Sequence, residues 1–197
     1  MTRKVGLFGG TFDPVHHAHL ALAHAALDAL QLDELRWIPT GQPWQKRQGG
    51  RDITPARHRA AMVALAIEGE PRFRLSRIEV DRQGPSYTLD TVRELAAAEP
   101  GTEWVLLIGG DQYAGLHTWR DWRELLSLVS LAVAQRPGTR SEPDAAVQQH
   151  PHRLVPLPML DISSTDIRQR VAHGADISQL VPSQVARYIE TQRLYRS

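Results

Sequence analysis

The feature that most constrains the fold is an alternation of short, continuously apolar segments with longer segments rich in alanine and leucine. We predict strands over residues 4–8, 35–39, 73–80, 104–108, 128–134 and 154–156. We predict helices over residues 16–30, 55–67, 88–98, 122–126, 164–172 and 183–192. Apolar strands separated by helices indicate a parallel sheet that is buried on both faces. The predicted class is therefore α/β, a Rossmann-like parallel sheet with helices on both faces.

The length of 197 residues is that of one domain. We predict a single domain over residues 1–197, with the C-terminal helices (about 164–197) packed on it. The net charge of +1 argues against a nucleic-acid partner. The absence of cysteine excludes disulfides, zinc–thiolate sites and cysteine nucleophiles. There is no apolar leader, and the longest apolar run, residues 125–134, is about half a membrane span. We therefore expect a cytoplasmic protein without a membrane partner; the sequence does not indicate an oligomeric state.

The positive charge is concentrated in one stretch, residues 40–59. Against a single acidic residue, Asp52, it carries five basic ones: Lys46, Arg47, Arg51, Arg57 and Arg59. Residues 40–54 contain three glycines and a proline, and we predict a basic loop there. A local basic patch on a nearly neutral protein suits a small polyanion.

Three predicted strands end in residues with special chemistry. These are the strand ends at residues 9–11, 39–40 and 109–111, which read Gly-Gly-Thr, Pro-Thr and Gly-Gly-Asp. Ligands of parallel α/β sheets bind beyond the carboxyl ends of the strands. We therefore predict the functional site at this edge of the sheet.

The turn after the first strand is typical of a phosphate site. Gly9 and Gly10 let the backbone approach a ligand closely, and the following helix offers unpaired N–H groups. His16 and His19 are three residues apart, so on a helix they project from one face. Two imidazoles at a helix N-terminus can donate to phosphate oxygens whose charge grows in a transition state.

Weaker interpretations of this turn also exist. A Gly-Gly turn alone is weak evidence, and a single histidine near a helix start is usually a surface or capping residue; His17 and His24 are interpreted that way. A histidine pair at this spacing can bind metal, but no nearby carboxylate completes a metalloprotease pattern. The dinucleotide fingerprint and the Walker A loop are both absent.

A serine-rich turn opens a late helix at residues 162–168. Ser163 is a predicted N-cap, and Asp166 completes a pair resembling a capping box. Capping explains the serines, but it does not explain Arg168, one turn into the helix. There, a guanidinium would stand beside exposed N–H groups and hydroxyls that suit a triphosphate.

Together the two segments resemble the nucleotidyltransferase superfamily with the T/H-x-G-H signature. The signature reads His-His-Ala-His at residues 16–19, and the second signature is the serine turn at residues 162–168. The resemblance covers nearly the whole chain and is closest to the bacterial nicotinate-nucleotide adenylyltransferases. Further matching segments are residues 84–88, 108–111, 118–119, 136–138 and 185–195. Two features depart from the family pattern: Ala18 replaces a glycine, and Trp44-Gln45 replaces Pro-His before Lys46.

The resemblance implies that the 5′-phosphate of nicotinate mononucleotide attacks the α-phosphorus of ATP and releases pyrophosphate. A phosphate monoester is already a nucleophile, so catalysis consists of positioning and charge stabilisation. The implied catalytic residues are His16 and His19 at the α-phosphate, and Lys46 and Arg168 at the β- and γ-phosphates.

The resemblance also implies binding residues for both substrates. Those for ATP are Gly9, Gly10, Thr11, Phe12, Gly109, Asp111, Ser163, Ser164 and Thr165. Those for the acceptor are Thr88, Trp119 and Arg136, although Thr88 can also cap a helix and Trp119 can belong to the core. Mg²⁺ is expected on the phosphates of ATP and on water, without a dedicated protein metal site.

Other functions are compatible with parts of the pattern. The nearest is the same transfer to nicotinamide mononucleotide or phosphopantetheine, or a cytidylyl transfer; residues 85–88 and 118–119 favour the pyridine nucleotide. A catalytically silent nucleotide sensor would tolerate the loss of His16, His19, Lys46 and Arg168, which are all present. An RNA-binding fragment related to class I tRNA synthetases is disfavoured by the near-zero charge.

Overall fold

A six-stranded parallel sheet forms the centre of the computed structural model, which describes residues 2–42, 53–135, 142–157 and 160–196. The strands are β1 (Lys4–Gly10), β2 (Glu34–Pro39), β3 (Phe73–Leu75), β4 (Glu103–Gly109), β5 (Ser130–Gln135) and β6 (His152–Pro156). All five pairings are parallel, in the order β3-β2-β1-β4-β5-β6. The chain reverses its direction of travel across the sheet between β1 and β4. Open α/β sheets bind ligands at such a switch point.

Helices cover both faces of the sheet. They are α1 (His17–Leu30), α2 (Ala56–Ala66), α3 (Thr88–Ala98), α4 (Gly110–Ala114), α5 (Trp122–Leu128), α6 (Ala145–Gln148), α7 (Ser164–Ala172) and α8 (Ser183–Thr191), with a 3₁₀ turn at Leu116–Thr118. Side chains of α1, α2, α7 and α8 contribute to one hydrophobic cluster, and those of α3, α4, α5 and α6 to another. The adjacent strand residues Leu7 and Phe8 lie in opposite clusters, as the alternation of a strand requires. The predicted fold class is confirmed.

The C-terminal helices contribute directly to the first cluster. Ile167 of α7 and Val185 and Ile189 of α8 are buried in the same cluster as Leu27 of α1. Helix α1 itself buries residues one turn apart, which is the spacing of an apolar helical face. Within the described residues, no helix combines the length and hydropathy needed to cross a membrane.

The structure corrects three predicted segments. The strand predicted over residues 73–80 ends at Leu75, and a turn follows in which the Asp81 amide donates to the Arg77 carbonyl at 2.9 Å. The strand predicted from residue 128 begins at Ser130, because Leu128 still belongs to α5. Between the strands predicted over residues 128–134 and 154–156, where no helix was predicted, the structure contains α6, whose Val147 is fully buried. Short helices such as α4 and α6 have too few apolar repeats for periodicity to reveal them.

Candidate active site

A cavity of about 570 Å³ opens at the carboxyl ends of β1 and β4. Its position is the one that the sheet topology predicts. Nine of the predicted site residues line it: Gly9, Gly10, Thr11, Phe12, His19, Thr88, Gly109, Asp111 and Trp119. The structure therefore brings residues 9–19 together with residues from the middle of the chain, at positions 88 and 109–119.

The turn between β1 and α1 is fixed by the ring of Phe12. Phe12 has φ 50°, in the left-handed region that a non-glycine residue seldom occupies. Its buried ring lies edge-on to Phe8 and His19, with ring centroids 5.4 and 5.1 Å away. A Cβ on Gly10 would stand 2.8 Å from this ring, whereas a Cβ on Gly9 would meet no atom within 4 Å. Gly10 thus makes room for Phe12, and Gly9 leaves its side of the turn open.

The two signature histidines are adjacent, but not in the way the sequence suggests. Helix α1 begins at His17, and His16 is its N-cap with extended backbone. The amide of His16 donates to Nδ1 of His19 at 3.2 Å, and the two rings stack with centroids 3.7 Å apart. The prediction that both histidines project from one helical face is therefore wrong for His16, although the rings do meet. Of the other histidines in α1, His24 is exposed, as expected of a surface residue.

Burial sets the charge of His16. Only 5% of the residue is exposed. Desolvation, with a smaller effect from His17, lowers the pKa of His16 from 6.5 to about 4, so the imidazole is neutral at pH 7. Its Nδ1 is buried and has no hydrogen-bond partner within the described residues. A buried polar atom left unpaired beside a binding cavity is a group that a ligand or a water molecule can satisfy.

The serine-rich turn is attached to the β1–α1 turn through main-chain carbonyls. Ser163 caps α7 by accepting from the Asp166 amide at 3.1 Å, which confirms the predicted N-cap. The carboxylate of Asp166 accepts from Nε of Arg170 at 2.8 Å. The hydroxyl of Ser164 donates to the Pro14 carbonyl at 2.9 Å.

Arg168 joins the same two segments. Its guanidinium donates to the carbonyl of Asp13 at 2.6 Å and to Oγ1 of Thr165 at 2.9 Å. The arginine is therefore held at the turn by the protein itself. Asp13 is also the point where the C-terminus arrives, because the Tyr195 hydroxyl donates to its Oδ1 at 2.7 Å.

The predicted basic patch is only partly a surface feature. Arg57 is exposed, but Arg59 is 1% exposed and lies under the cavity. Four hydrogen bonds of its guanidinium reach the carbonyls of Thr11, Thr40, Gly41 and Thr54. The prediction that Arg59 contributes to a surface patch is therefore wrong, because the side chain is buried and donates to backbone carbonyls.

A buried carboxylate that the sequence analysis missed stands beside this arginine. Glu79 lines the cavity, is buried, and accepts from the hydroxyl of Thr91 at 2.9 Å. Desolvation raises the pKa of Glu79, while hydrogen bonds from Thr91, Ser86 and the Gly41 amide, with the nearby Arg82 charge, oppose that shift. A Cβ on Gly41 would stand 1.9 Å from the Glu79 carbonyl oxygen, so this close approach requires glycine. No local signal distinguishes Glu79 in the sequence, because the strand predicted over residues 73–80 also carries Arg74, Ser76 and Arg77.

The opposite wall of the cavity carries the predicted acceptor residues. Thr88 is the first residue of α3, whose N-cap is Tyr87, so Thr88 does not cap the helix. Trp119 is half-buried and packs against the second cluster while also lining the cavity. Its amide is already used, because it donates to the Leu116 carbonyl at 3.0 Å. The guanidinium of Arg120 lies 4.9 Å from the ring centre of Tyr87.

The end of β4 supplies a third group of contacts. Gly109 is the N-cap of α4, and its amide donates to Oε1 of Gln112 at 3.1 Å. Asp111 follows in the first turn and is exposed at the cavity. Gln112 also lines the cavity and was not predicted.

Some residues named in the sequence analysis lie outside the described part of the chain. They are Lys46, Arg136 and the Trp44-Gln45 pair that differs from the family pattern. Within the described ranges, no group of three or more histidine, aspartate or glutamate side chains is arranged to hold a metal ion.

Comparison with known proteins shows the family by sequence and the same fold by structure. Residues 7–170 match the model of the family described as cytidylyltransferase-like. A protein of Methylibium petroleiphilum named probable nicotinate-nucleotide adenylyltransferase is 49% identical over 98% of this chain and 92% of its own length. A second, from Bordetella petrii and with the same name, is 45% identical over 98% of this chain and its full length. The structure of Plasmodium falciparum nicotinic acid mononucleotide adenylyltransferase complexed with NaAD superimposes with a TM-score of 0.78 at 19% identity, covering 98% of this chain and 97% of the other.

Proposed function

We propose that this chain, which belongs to the cytidylyltransferase-like family, transfers the adenylyl group of ATP to nicotinate mononucleotide. The products are nicotinate adenine dinucleotide, a precursor in NAD biosynthesis, and pyrophosphate. The proposal treats residues 1–197 as one nucleotidyltransferase domain.

The observation that carries this proposal is that one cavity has two chemically different walls. One wall is the β1–α1 turn with His19, which suits phosphates, and the other carries Thr88 and Trp119. A cavity of this volume is in the range of pockets for small ligands. An enzyme that holds a nucleoside triphosphate next to a mononucleotide with an aromatic ring needs two such walls.

The transfer itself needs no activated protein nucleophile. An oxygen of the acceptor's 5′-phosphate forms a bond to the α-phosphorus of ATP. The bond from that phosphorus to the bridging oxygen breaks, and its electron pair leaves with pyrophosphate. The protein contributes alignment and stabilisation of the charge that develops on the phosphoryl oxygens.

Each predicted catalytic residue has a proposed part in this step. His19 lines the cavity, which supports its proposed role as a donor to the α-phosphate. His16 stacks against His19, and as a neutral imidazole it holds the pair in register. Arg168 supports the turn and the β- and γ-phosphates, together with Lys46.

ATP is proposed to lie on the backbone of residues 9–12, with its ribose near Asp111 and Gly109. Ser163, Ser164 and Thr165 would support the triphosphate from the start of α7. Mg²⁺ is proposed to enter with ATP, held by phosphate oxygens and water, because Mg²⁺ usually retains several waters when it binds with phosphates.

At the acceptor wall, Trp119 is proposed to stack on the pyridine ring, and Arg136 to bind the acceptor as well. The first amides of α3, near Thr88, have no partner within the helix and can donate to the nicotinate carboxylate. Since the Trp119 amide donates to Leu116, its contribution is the ring alone.

The test is to incubate the purified protein with ATP and Mg²⁺ and, separately, nicotinate mononucleotide, nicotinamide mononucleotide and phosphopantetheine, measuring pyrophosphate and the dinucleotide. CTP in place of ATP tests cytidylyl transfer, and EDTA tests the metal. We expect the fastest release with ATP and nicotinate mononucleotide. ATP binding without any pyrophosphate would support a silent nucleotide sensor instead.

A further inference from the structure

Arg59, in the first turn of α2, connects three separate segments around the cavity. Its Nη1 donates to the Thr11 carbonyl at 2.8 Å, and its Nη2 donates to the Thr40 carbonyl at 2.6 Å. Nη2 also reaches the Gly41 carbonyl at 3.1 Å, and Nε donates to the Thr54 carbonyl at 2.8 Å. One planar group therefore fixes the β1–α1 turn relative to the exit of β2 and to Thr54, which lies two residues before α2.

The acceptors of this arginine are unusual for a buried cation. Buried charges are ordinarily paired with an opposite charge, but the hydrogen bonds of Arg59 within the described residues go to backbone carbonyls. Asp13 and Glu79 act on it only through their electrostatic fields. Desolvation lowers the pKa of Arg59, but the guanidinium keeps its proton because arginine is the most basic of the side chains. Positive charge is thus held beneath a turn that is itself suited to anions.

Two of the segments it joins are part of the cavity wall. Thr11 and Thr40 line the cavity. The acceptor wall, at Thr88 and Trp119, receives no hydrogen bond from Arg59. A change in the arginine should therefore disturb the nucleotide side of the cavity before it disturbs the acceptor side.

We propose that Arg59 is a positioning residue for adenylyl transfer, which sets the spacing of the nucleotide-binding turn and the β2 exit and places buried positive charge behind the phosphates. This inference rests on the proposed function. Arg59 does not touch the substrate in this scheme; it acts through the carbonyls that it holds.

Lysine and methionine separate the two parts of the role. Arg59→Lys keeps the charge but replaces a rigid fork of five donors by one flexible ammonium. Arg59→Met keeps much of the side-chain length and removes both charge and donors. Arg36→Lys is the matched control, because Arg36 is also largely buried, but its partners Glu34 and Glu99 do not line the cavity.

The experiment measures the affinity for a non-hydrolysable ATP analogue by calorimetry, kcat and KM for both substrates, and the melting temperature. A displacement of reacting groups by about 1 Å can cost about a hundredfold in rate. We expect Arg59→Lys to weaken analogue binding by about tenfold and kcat/KM for ATP by about a hundredfold, with KM for the acceptor within about twofold. Arg59→Met should lose more, while Arg36→Lys lowers the melting temperature without changing analogue affinity.

Wild-type analogue affinity and kcat in Arg59→Lys would overturn the proposal. Equal losses of kcat/KM for ATP and for the acceptor, together with a lower melting temperature, would also overturn it. A residue with a purely structural role would give that result. If Arg59→Met does not fold, Arg59→Lys alone decides. Failure of the wild-type protein to make dinucleotide would refute the proposed function, and the analogue affinities would still test Arg59.

Discussion

The two walls of the cavity are built in different ways. The phosphate end, comprising residues 9–19, 40–42 and 59, is built around the buried residues Phe12, His16 and Arg59, which are held by hydrogen bonds with the backbone and by packing of the Phe12 ring. The acceptor end, comprising residues 87–90 and 119–121, consists of half-exposed rings and surface ion pairs. The side chain of Arg120 is 52% exposed and lies 3.6 Å from both Asp90 and Asp121. The difference suggests that the site of chemistry is part of the core, whereas the site of recognition lies on the surface.

This difference has an energetic consequence. Surface ion pairs are worth little to stability, whereas buried polar groups that lose a partner are expensive. Changes to the buried groups at the phosphate end should therefore affect turnover and folding together. Changes at the half-exposed acceptor end should affect mainly the choice and affinity of the acceptor.

The largest effect is expected for His19. His19→Ala removes a donor to the reacting phosphate and should lower kcat by about 10²–10³-fold. It also removes the acceptor of the His16 amide, so His19→Asn, whose carbonyl oxygen can take the place of Nδ1, separates capping from catalysis. Steady-state kinetics of both variants are compared with His24→Ala, a surface change on the same helix. Near-normal turnover in His19→Asn would remove this residue from the chemistry.

The next effect tests the acceptor end. Nicotinate mononucleotide should be preferred to its amide by about a hundredfold in kcat/KM, because an amide N–H₂ would face the backbone donors near Thr88 in a desolvated pocket. Trp119→Ala should weaken both acceptors alike, since stacking does not sense the carboxylate. Equal kcat/KM for acid and amide in the wild-type protein would refute the acceptor model while leaving adenylyl transfer intact.

A smaller effect, on stability, is expected for the glycine at the β2 exit. In Gly41→Ala the new methyl group meets the Glu79 carbonyl oxygen, which is backbone and cannot rotate away. Overpacking of this kind should cost about 3 kcal/mol in the free energy of unfolding, measured by denaturant titration. Gly9→Ala is the contrast: it should keep wild-type stability, because its Cβ meets nothing, and lose ATP affinity, because the methyl group enters the open side of the turn. Equal stability of the two variants would contradict the distinction between a packed and an open glycine.

The sequence could predict the sheet, its edge and the β1–α1 turn because these depend on local patterns. Apolar runs and glycine pairs are visible over a few residues, and they place Gly9, Gly109 and Thr40 at one edge without knowledge of the packing. The buried polar contacts depend on long-range neighbours and could not be predicted. Tyr195 meets Asp13 across 182 positions, and Arg59 meets Thr11 across 48. In the sequence, Arg59 is indistinguishable from its basic neighbours, since nothing local shows that its helix turns it inward.

The smallest effect concerns His16 and acid. In the folded protein its pKa is lowered to about 4 by desolvation, whereas in the unfolded chain it returns to about 6.5. Between these values the unfolded state binds more protons, so stability is full above pH 6.5 and is lost as the pH falls towards 4. From pH 7 to pH 5 this one group should cost about 2 kcal/mol of unfolding free energy.

Denaturant titrations of wild type and His16→Asn at both pH values measure the cost, because the other titrating groups are common to the two proteins and cancel. The asparagine variant should lose less stability on acidification, whatever its stability at pH 7. If His16→Asn also shows the wild-type acid dependence, burial of His16 does not lower its pKa. The phosphate end would then be accessible to solvent like the acceptor end, and the difference between the two walls would be wrong.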